Sequence, residues 1–177
     1  MEENTQKIYR SPDEAYPFLS EKPDCLLCDF EILTDEIASL TGLLAQRAPE
    51  EFRGEIYKTE ELIYHLNPSV RTFFSVTQEE CQWLEGRYHS YKNNFPQVRF
   101  VLPAGGEAAC TAHLIRVKCK ELVRLMYRIA YREPDRKTAP EVFDFTNLLS
   151  NYFFYLALEL NRYEGRTEVE FVSRNYK

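Results

Sequence analysis

Three basic side chains recur at every fourth position of one segment, which is the spacing of neighbours on a helix face. Arg116, Lys120 and Arg124 therefore share one side of a helix with 3.6 residues per turn. Like charges at this spacing repel each other by roughly a few tenths of a kcal/mol per pair, so a counter-charge is expected. Either neighbouring carboxylates neutralise a solvated face, or the ladder binds a polyphosphate, because arginine makes fork-like contacts with phosphate oxygens.

A glycine-containing stretch comes directly before this helix. Residues 100–106 read FVLPAGG, and the paired glycines allow the backbone to approach a ligand closely. The N-terminus of the helix that follows favours an anion. The stretch lacks the lysine and the hydroxyl residue of a Walker P-loop, so that nucleotide-binding motif is excluded.

The chain contains five cysteines, an odd number that is typical of reduced thiols in the cytoplasm and not of a disulfide framework. Cys25 and Cys28 have the spacing of half a zinc site. No second cysteine or histidine pair at a suitable spacing completes it. We therefore predict no metal site and interpret the pair as two thiols at the start of a helix, a reading that a metal assay would test.

The composition limits the classes of partner. The 177 residues are 44% hydrophobic, enough for one domain with a substantial core, and 28% charged. A net charge of −6 disfavours nucleic acid. No apolar run approaches the ~20 residues that span a bilayer, and the acidic N-terminus is unlike a secretory signal, so we expect neither a membrane association nor export.

Apolar residues recur at intervals of three and four along five segments, the period of amphipathic helices. With their short connections they predict an all-α fold, an antiparallel five-helix bundle. The residues Thr77 and Glu80, and likewise Thr138 and Glu141, have the spacing of a capping box. We place an N-terminal segment at 1–28, the bundle at 29–165, and a tail at 166–177 whose alternating residues 167–172 predict a short strand or an extended end.

Three separated motifs resemble the PduO-type ATP:cob(I)alamin adenosyltransferases. The loop at 100–106 matches the Phe-Ile-Leu-Pro-Gly-Gly loop of that family, and the helix after it matches a His-x-x-Arg-x-x-Cys-Arg-Arg-x-Glu-Arg pattern at His113, Arg116, Cys119 and Arg124. Residues 35–42 resemble the family's Asp-Glu-Leu-x-Ser-x-x-Gly helix, and residues 140–154 resemble its last helix. The likeness extends from about Asp29 to Arg162.

The resemblance implies a five-helix bundle that forms a homotrimer with active sites between subunits. It implies a transferase that moves the 5′-deoxyadenosyl group of ATP onto cob(I)alamin and releases triphosphate. Magnesium on the phosphates, a flavin reductase and a B12-dependent enzyme are the implied cofactor and protein partners. The alternative is a non-catalytic corrinoid-binding or carrier protein on the same scaffold.

The resemblance also assigns residues on the corrin side. Phe100 would pack against the lower face of the corrin and exclude the axial base, which leaves a four-coordinate Co(II) that is easier to reduce. Arg116 would pair with Asp35 across the subunit boundary and shape the ATP pocket.

On the ATP side, Lys120 and Arg124 would hold the triphosphate, together with Arg116, and Asn147 would complete the nucleotide contacts. The chain departs from the family most clearly here. The family begins with a Thr-Gly-Asp-x-Gly-x-Thr loop around the triphosphate, whereas this chain has RSPDE at residues 10–14 and no glycine before Gly42. We therefore expect weaker binding of ATP, and impaired activity, with better preserved binding of the corrinoid.

Overall fold

The computed structural model describes residues 8–97 and 100–175, which form five α-helices. The helices are α1 (Leu26–Arg47), α2 (Glu50–Leu66), α3 (Gln78–Asn93), α4 (Glu107–Arg132) and α5 (Pro140–Tyr163), with a 3-10 turn at Asn67–Val70. The predicted all-α fold is confirmed. α1 already begins at Leu26, ahead of residue 29.

The predicted apolar stripes form the core. α4 packs on both α5 and α1, α2 packs on α1, and α3 packs on α5. Each fully buried leucine or isoleucine contributes about 1.5–3 kcal/mol of transfer free energy, so these facing stripes hold the bundle together. The stripe residues that are less than 2% exposed include Ile37, Leu44, Ile56, Ile63, Leu84, Ile115, Leu122, Leu149 and Leu156.

One of the two predicted capping boxes is present. The Thr77 hydroxyl accepts from the N–H of Glu80, and the Glu80 carboxylate accepts from the N–H of Thr77 at 2.8 Å. The prediction at Thr138 is wrong, because Ala139 is the N-cap of α5 and makes no side-chain cap. A residue before proline is held in an extended conformation, and Ala139 precedes Pro140, so the helix cannot start one residue earlier.

The C-terminal tail is extended and pairs with the loop before α4. Val101 and Glu170 form an isolated antiparallel bridge. The N–H of Leu102 donates to the carbonyl of Val169 at 2.8 Å. The tail is therefore an added extended segment beside the loop. The sequence of residues 98–102 is also strand-like, and the first two of these residues lie outside the described ranges.

An ion-pair cluster fixes the segment before α1. Arg71 donates to the carboxylates of Glu21 and Glu31 at 2.8–3.0 Å, and both carboxylates raise its pKa. Its guanidinium also lies 3.7 Å from the centre of the Phe18 ring. Glu21 also lines a cavity together with Arg132, at the end of α4. This part of the segment thus lies at the C-terminal end of α4, about 24 Å along the helix from Arg116 at 1.5 Å per residue.

Among the described residues, no helix combines the length and the apolar character that crossing a membrane requires.

Candidate active site

A cavity of about 680 Å³ lies between α4, α5, the loop before α4 and the C-terminal tail. Its walls combine aromatic rings with two cations, a mixture that suits a ligand with an apolar body and an anionic group. The lining residues are Phe100, Val101, Arg116, Lys120, Ser150, Asn151, Phe154, Glu170, Phe171, Val172 and Ser173.

Phe100 is 74% exposed at the wall of this cavity. Its carbonyl oxygen accepts from the N–H of Phe171 at 2.7 Å, so its backbone is held although its ring is free. A large aromatic ring that remains exposed contributes little to the core, and it offers a ligand an apolar surface without any donor atom.

Arg116 brings a desolvated cation to the same cavity. It is half-buried, and burial lowers its pKa. Within the described residues its Nε has no hydrogen-bond partner, and its guanidinium lies 5.5 Å from the centre of the Phe154 ring. Leaving a buried charged donor unsatisfied is costly, so this geometry favours an external acceptor such as a phosphate or carboxylate.

Two carboxylates, one on α1 and one on α4, form salt bridges with Lys118, which lies between Arg116 and Lys120 in the sequence of α4. Glu36 and Glu121 both form salt bridges with Lys118, at 3.0 and 3.3 Å. Lys120 is exposed and lines the cavity. Arg116 and Lys120 line the cavity together with the acidic residue Glu170, whereas Glu36 and Glu121 pair with Lys118.

Three of the predicted site residues lie outside the cavity lining. Arg124 is exposed one turn beyond Lys120 on α4. Asn147 is exposed, and its Nδ2 donates to the carbonyl of Phe143 in its own helix at 2.8 Å. Asp35 is exposed on α1 and accepts from the hydroxyl of Tyr64 at 3.0 Å. The single chain thus brings together Phe100, Arg116 and Lys120, but not these three.

His113 lies in the interior beside the site and does not suit acid–base chemistry at neutral pH. Burial and the nearby charge of Arg116 lower its pKa to about 4. Neither ring nitrogen has a hydrogen-bond partner among the described residues, and its ring centre is 6.2 Å from that of Phe154. Neutral His113 is thus a packing residue behind the cavity wall.

Sequence reasoning missed the contribution of the tail to the cavity. Phe171 and Val172 line it, although the alternating pattern indicated only an extended segment. Phe154 is partly exposed and also lines the cavity, a position that the sequence did not predict. Its position two residues beyond buried Tyr152 on α5 was the available signal, because residues two apart lie on different helix faces.

The cysteine pair at the start of α1 has other partners. The Cys25 thiol donates to a carboxylate oxygen of Glu21 at 3.4 Å, and Cys28 is buried, which raises its pKa. In the part of the chain that the structure describes, no three cysteine, histidine or acidic residues are grouped so that they could hold a metal ion. All five cysteines are free thiols.

The sequence profile of the cobalamin adenosyltransferase family matches residues 33–160, which include α4 and nearly all of α5. The chain belongs to this family. It is therefore placed among the transferases.

Two curated relatives agree with this assignment. A corrinoid adenosyltransferase of Bacillus subtilis is 26% identical over 77% of this chain and 75% of its own length. A cobalamin adenosyltransferase of Cupriavidus metallidurans is 27% identical over 76% and 74%, respectively.

Solved structures show the same adenosyltransferase fold. An arginine-to-lysine variant of the PduO-type ATP:corrinoid adenosyltransferase of Lactobacillus reuteri, complexed with ATP, superposes with a TM-score of 0.71 at 23% identity, covering 84% of this chain and 88% of that one. A phenylalanine-to-histidine variant of that enzyme, complexed with cobalamin and ATP, gives 0.70 at 23% identity and covers 86% of both chains.

Proposed function

We propose that this protein is a cytoplasmic ATP:corrinoid adenosyltransferase. It transfers the 5′-deoxyadenosyl group from ATP to cob(I)alamin and releases triphosphate. The observation that carries the proposal is the cavity in which exposed Phe100 stands beside the desolvated Arg116. Cobalamin and ATP in complexes of a protein with the same fold support this pair of substrates. The free cysteines are consistent with a reducing compartment.

The reaction forms one bond and breaks one. The lone pair of Co(I) attacks the 5′ carbon of ATP, a Co–C bond forms, and the C–O bond to the phosphate chain breaks. The triphosphate leaves with that electron pair. A reductase must supply the Co(I) state, because none of the described residues that line the cavity is a redox group.

Phe100 serves the corrinoid. A phenyl ring below the corrin cannot coordinate cobalt, and it fills the space that an axial base would occupy. The corrinoid that binds against it thus loses a ligand, and a four-coordinate Co(II) accepts an electron more readily. The exposed ring at the cavity wall is placed for such a contact.

Arg116 and Lys120 serve the nucleotide. Both present donors to the cavity. Arg116 is already partly desolvated in the folded protein, which strengthens a bond to phosphate. Arg124 and Asn147 are exposed about one turn beyond the lining residues of α4 and α5, and we assign them further contacts with the nucleotide. Mg²⁺ would offset the negative charge of the triphosphate.

A homotrimer completes the site. Apolar side chains are exposed on the outer faces of α1 and α4: Ile32, Leu43, Leu114, Val117 and Tyr131. An apolar surface of this kind indicates contact with another protein. Asp35 lies on the outside of α1, and Arg116 lacks a partner for its Nε among the described residues, so a second copy can pair them.

A corrinoid-binding carrier is the second candidate, because none of the described residues that line the cavity replaces the glycine loop of the family. The part of the N-terminal segment that Arg71 anchors lies at the opposite end of α4. If the first residues of a neighbouring copy do not supply phosphate contacts, the chain would bind corrinoids without adenosylating them.

An anaerobic assay separates the two functions. The protein is incubated with cob(I)alamin and Mg-ATP, and the adenosylcobalamin spectrum is followed. An adenosyltransferase forms it, and Arg116→Met slows its formation while Arg128→Met, an exposed arginine on the same helix, does not. A protein that binds corrinoid without forming the spectrum is a carrier.

A further inference from the structure

Asn161 lies at the C-terminal end of α5, is 1% exposed, and bonds to two other segments through its side-chain amide. Its Oδ1 accepts from the N–H of Gly106 at 3.0 Å. Its Nδ2 donates to the carbonyl of Ala104 at 3.0 Å and to the carboxylate of Glu168 at 2.9 Å. One buried side chain thus joins the loop before α4 to the C-terminal tail.

The loop fits closely around this amide. Gly105 has a φ of 123°, a conformation that other residues rarely adopt. A Cβ built on Gly105 would lie 2.0 Å from the Oδ1 of Asn161. The glycine and the asparagine therefore require each other, since the loop can reach both polar atoms only without a side chain at this position.

The tail is attached to the same point and then returns to the loop. The N–H of Arg166 donates to the backbone carbonyl of Asn161 at 2.8 Å, and Glu168 bonds to the side chain. Beyond Glu168 the tail pairs with the loop on either side of Val101, where Phe171 bonds to the carbonyl of Phe100. Asn161 thus holds both segments next to Phe100: the loop through Ala104 and Gly106, and the tail through Arg166 and Glu168.

We propose that Asn161 is a positioning residue that holds the loop and the tail in the single arrangement that presents Phe100 to the corrinoid. It is absent from the cavity lining, so it acts through the loop and does not touch substrate. The inference about the corrinoid rests on the proposed function. The inference about the loop and tail rests only on these contacts.

Hydrogen exchange at single-residue resolution tests the physical part in the full-length protein. In Asn161→Leu, the amide of Gly106 loses its acceptor, and the amides of Leu102 and Phe171 lose their support. All three should exchange about tenfold faster or more, while amides in the centres of α1 and α2 keep their wild-type rates. Asn94→Leu is the control, because the Asn94 side chain also bonds to α5, through Glu159, and its hydrogen bonds among the described residues involve neither residues 100–106 nor the tail.

Two Glu168 variants keep the test decisive if Asn161→Leu does not fold. Glu168→Gln retains an acceptor for Asn161 and should exchange as the wild type does. Glu168→Leu should accelerate the exchange of Phe171 while Gly106 remains protected, because the loop bonds are intact. Wild-type exchange of Gly106 in a folded Asn161→Leu, or of Phe171 in Glu168→Leu, would overturn the proposal.

A spectroscopic readout tests the consequence for the corrinoid. With Co(II)cobalamin and Mg-ATP, Asn161→Leu should lose the four-coordinate Co(II) signature at least tenfold, while its affinity for Mg-ATP stays within about twofold of the wild type. An unchanged signature would refute the positioning role. If the wild type itself gives no signature, the proposed function fails instead, and the exchange rates still decide whether Asn161 holds the loop.

Discussion

The N–H of Phe171 donates to the carbonyl oxygen of Phe100 at 2.7 Å, so the tail and the loop before α4 form one wall of the cavity. Phe100 keeps its ring exposed in this arrangement because the contact uses only its backbone. An aromatic ring that is exposed on a fixed backbone suits ligand binding, since the backbone has little conformational entropy left to lose when a ligand binds.

The ring of Phe100 is expected to matter for the corrinoid and not for the fold. Phe100→Ala should leave the free energy of unfolding within about 0.5 kcal/mol of the wild type, because the ring is largely exposed. It should abolish the four-coordinate Co(II) signature in the presence of Mg-ATP. Phe73→Ala is the matched control, because Phe73 is 72% exposed and is absent from the cavity lining. An unchanged signature in Phe100→Ala would remove this residue from the corrin contact.

Arg116 is expected to bind the phosphate chain of ATP. Arg116→Met should weaken the affinity for Mg-ATP by roughly 10- to 100-fold, the effect of losing a charge-assisted bond worth about 1.5–3 kcal/mol. Calorimetric titration measures the change. Arg128→Met is the control, because it removes one positive charge from the same helix as Arg116→Met does. Equal affinities of the two variants would show that Arg116 does not contact the nucleotide.

His113 is expected to make stability depend on pH below neutrality. Its folded pKa of about 4 lies below the usual value of 6.5, so the unfolded chain binds the proton more tightly. Stability from this group is therefore complete above pH 6.5, falls as the pH decreases towards 4, and is reduced by on the order of 3 kcal/mol below it. Denaturant unfolding of His113→Leu should show a flatter pH dependence. A slope equal to that of the wild type would contradict the burial of a neutral imidazole.

The homotrimer is expected from the exposed apolar residues of α1 and α4. Light scattering after size exclusion should give three times the chain mass of 21.0 kDa at micromolar concentration. Val117 is 52% exposed on the outer face of α4. Val117→Glu places a charge there and should shift the mass towards the monomer. A wild-type monomer at this concentration would remove the composite site that joins Asp35 to Arg116.

The bundle could be predicted from local sequence because each helix carries its own apolar stripe. Ile115 and Leu122 are buried as their spacing indicates, and Thr77 caps α3. The predicted capping box at Thr138 is wrong because Pro140 restricts the backbone of the residue before it, which the capping pattern alone does not include. That restriction moves the cap to Ala139.

The candidate site could be predicted in part. Arg116 and Lys120 are one turn apart, so their shared face follows from helical geometry, and the cavity contains both. The tail could not be placed, because Val101 and Glu170 are distant in sequence and no local pattern encodes their pairing. The bonds of Asn161 to the loop were equally inaccessible, since they depend on the packing of α5 against α4.

The binding of ATP is expected to be weaker than in family members that have the complete glycine loop, whereas the binding of the corrinoid is better preserved. Residues 10–14 replace a glycine loop whose N–H groups would be pre-oriented for phosphate, and they include two carboxylates. Calorimetric titrations of this protein and of a family member that has the loop should therefore give a larger dissociation constant for Mg-ATP in this protein, with a smaller difference for a corrinoid. Sub-micromolar affinity for Mg-ATP would show that another segment supplies the missing phosphate contacts.

The proposed activity is group transfer, and its stoichiometry under anaerobic conditions tests it. Protein, chemically reduced cob(I)alamin and Mg-ATP are mixed, and adenosylcobalamin and inorganic triphosphate are both quantified. An adenosyltransferase forms equal amounts of the two products, because one C–O bond breaks for each Co–C bond that forms. Tight corrinoid binding with neither product would contradict an adenosyltransferase.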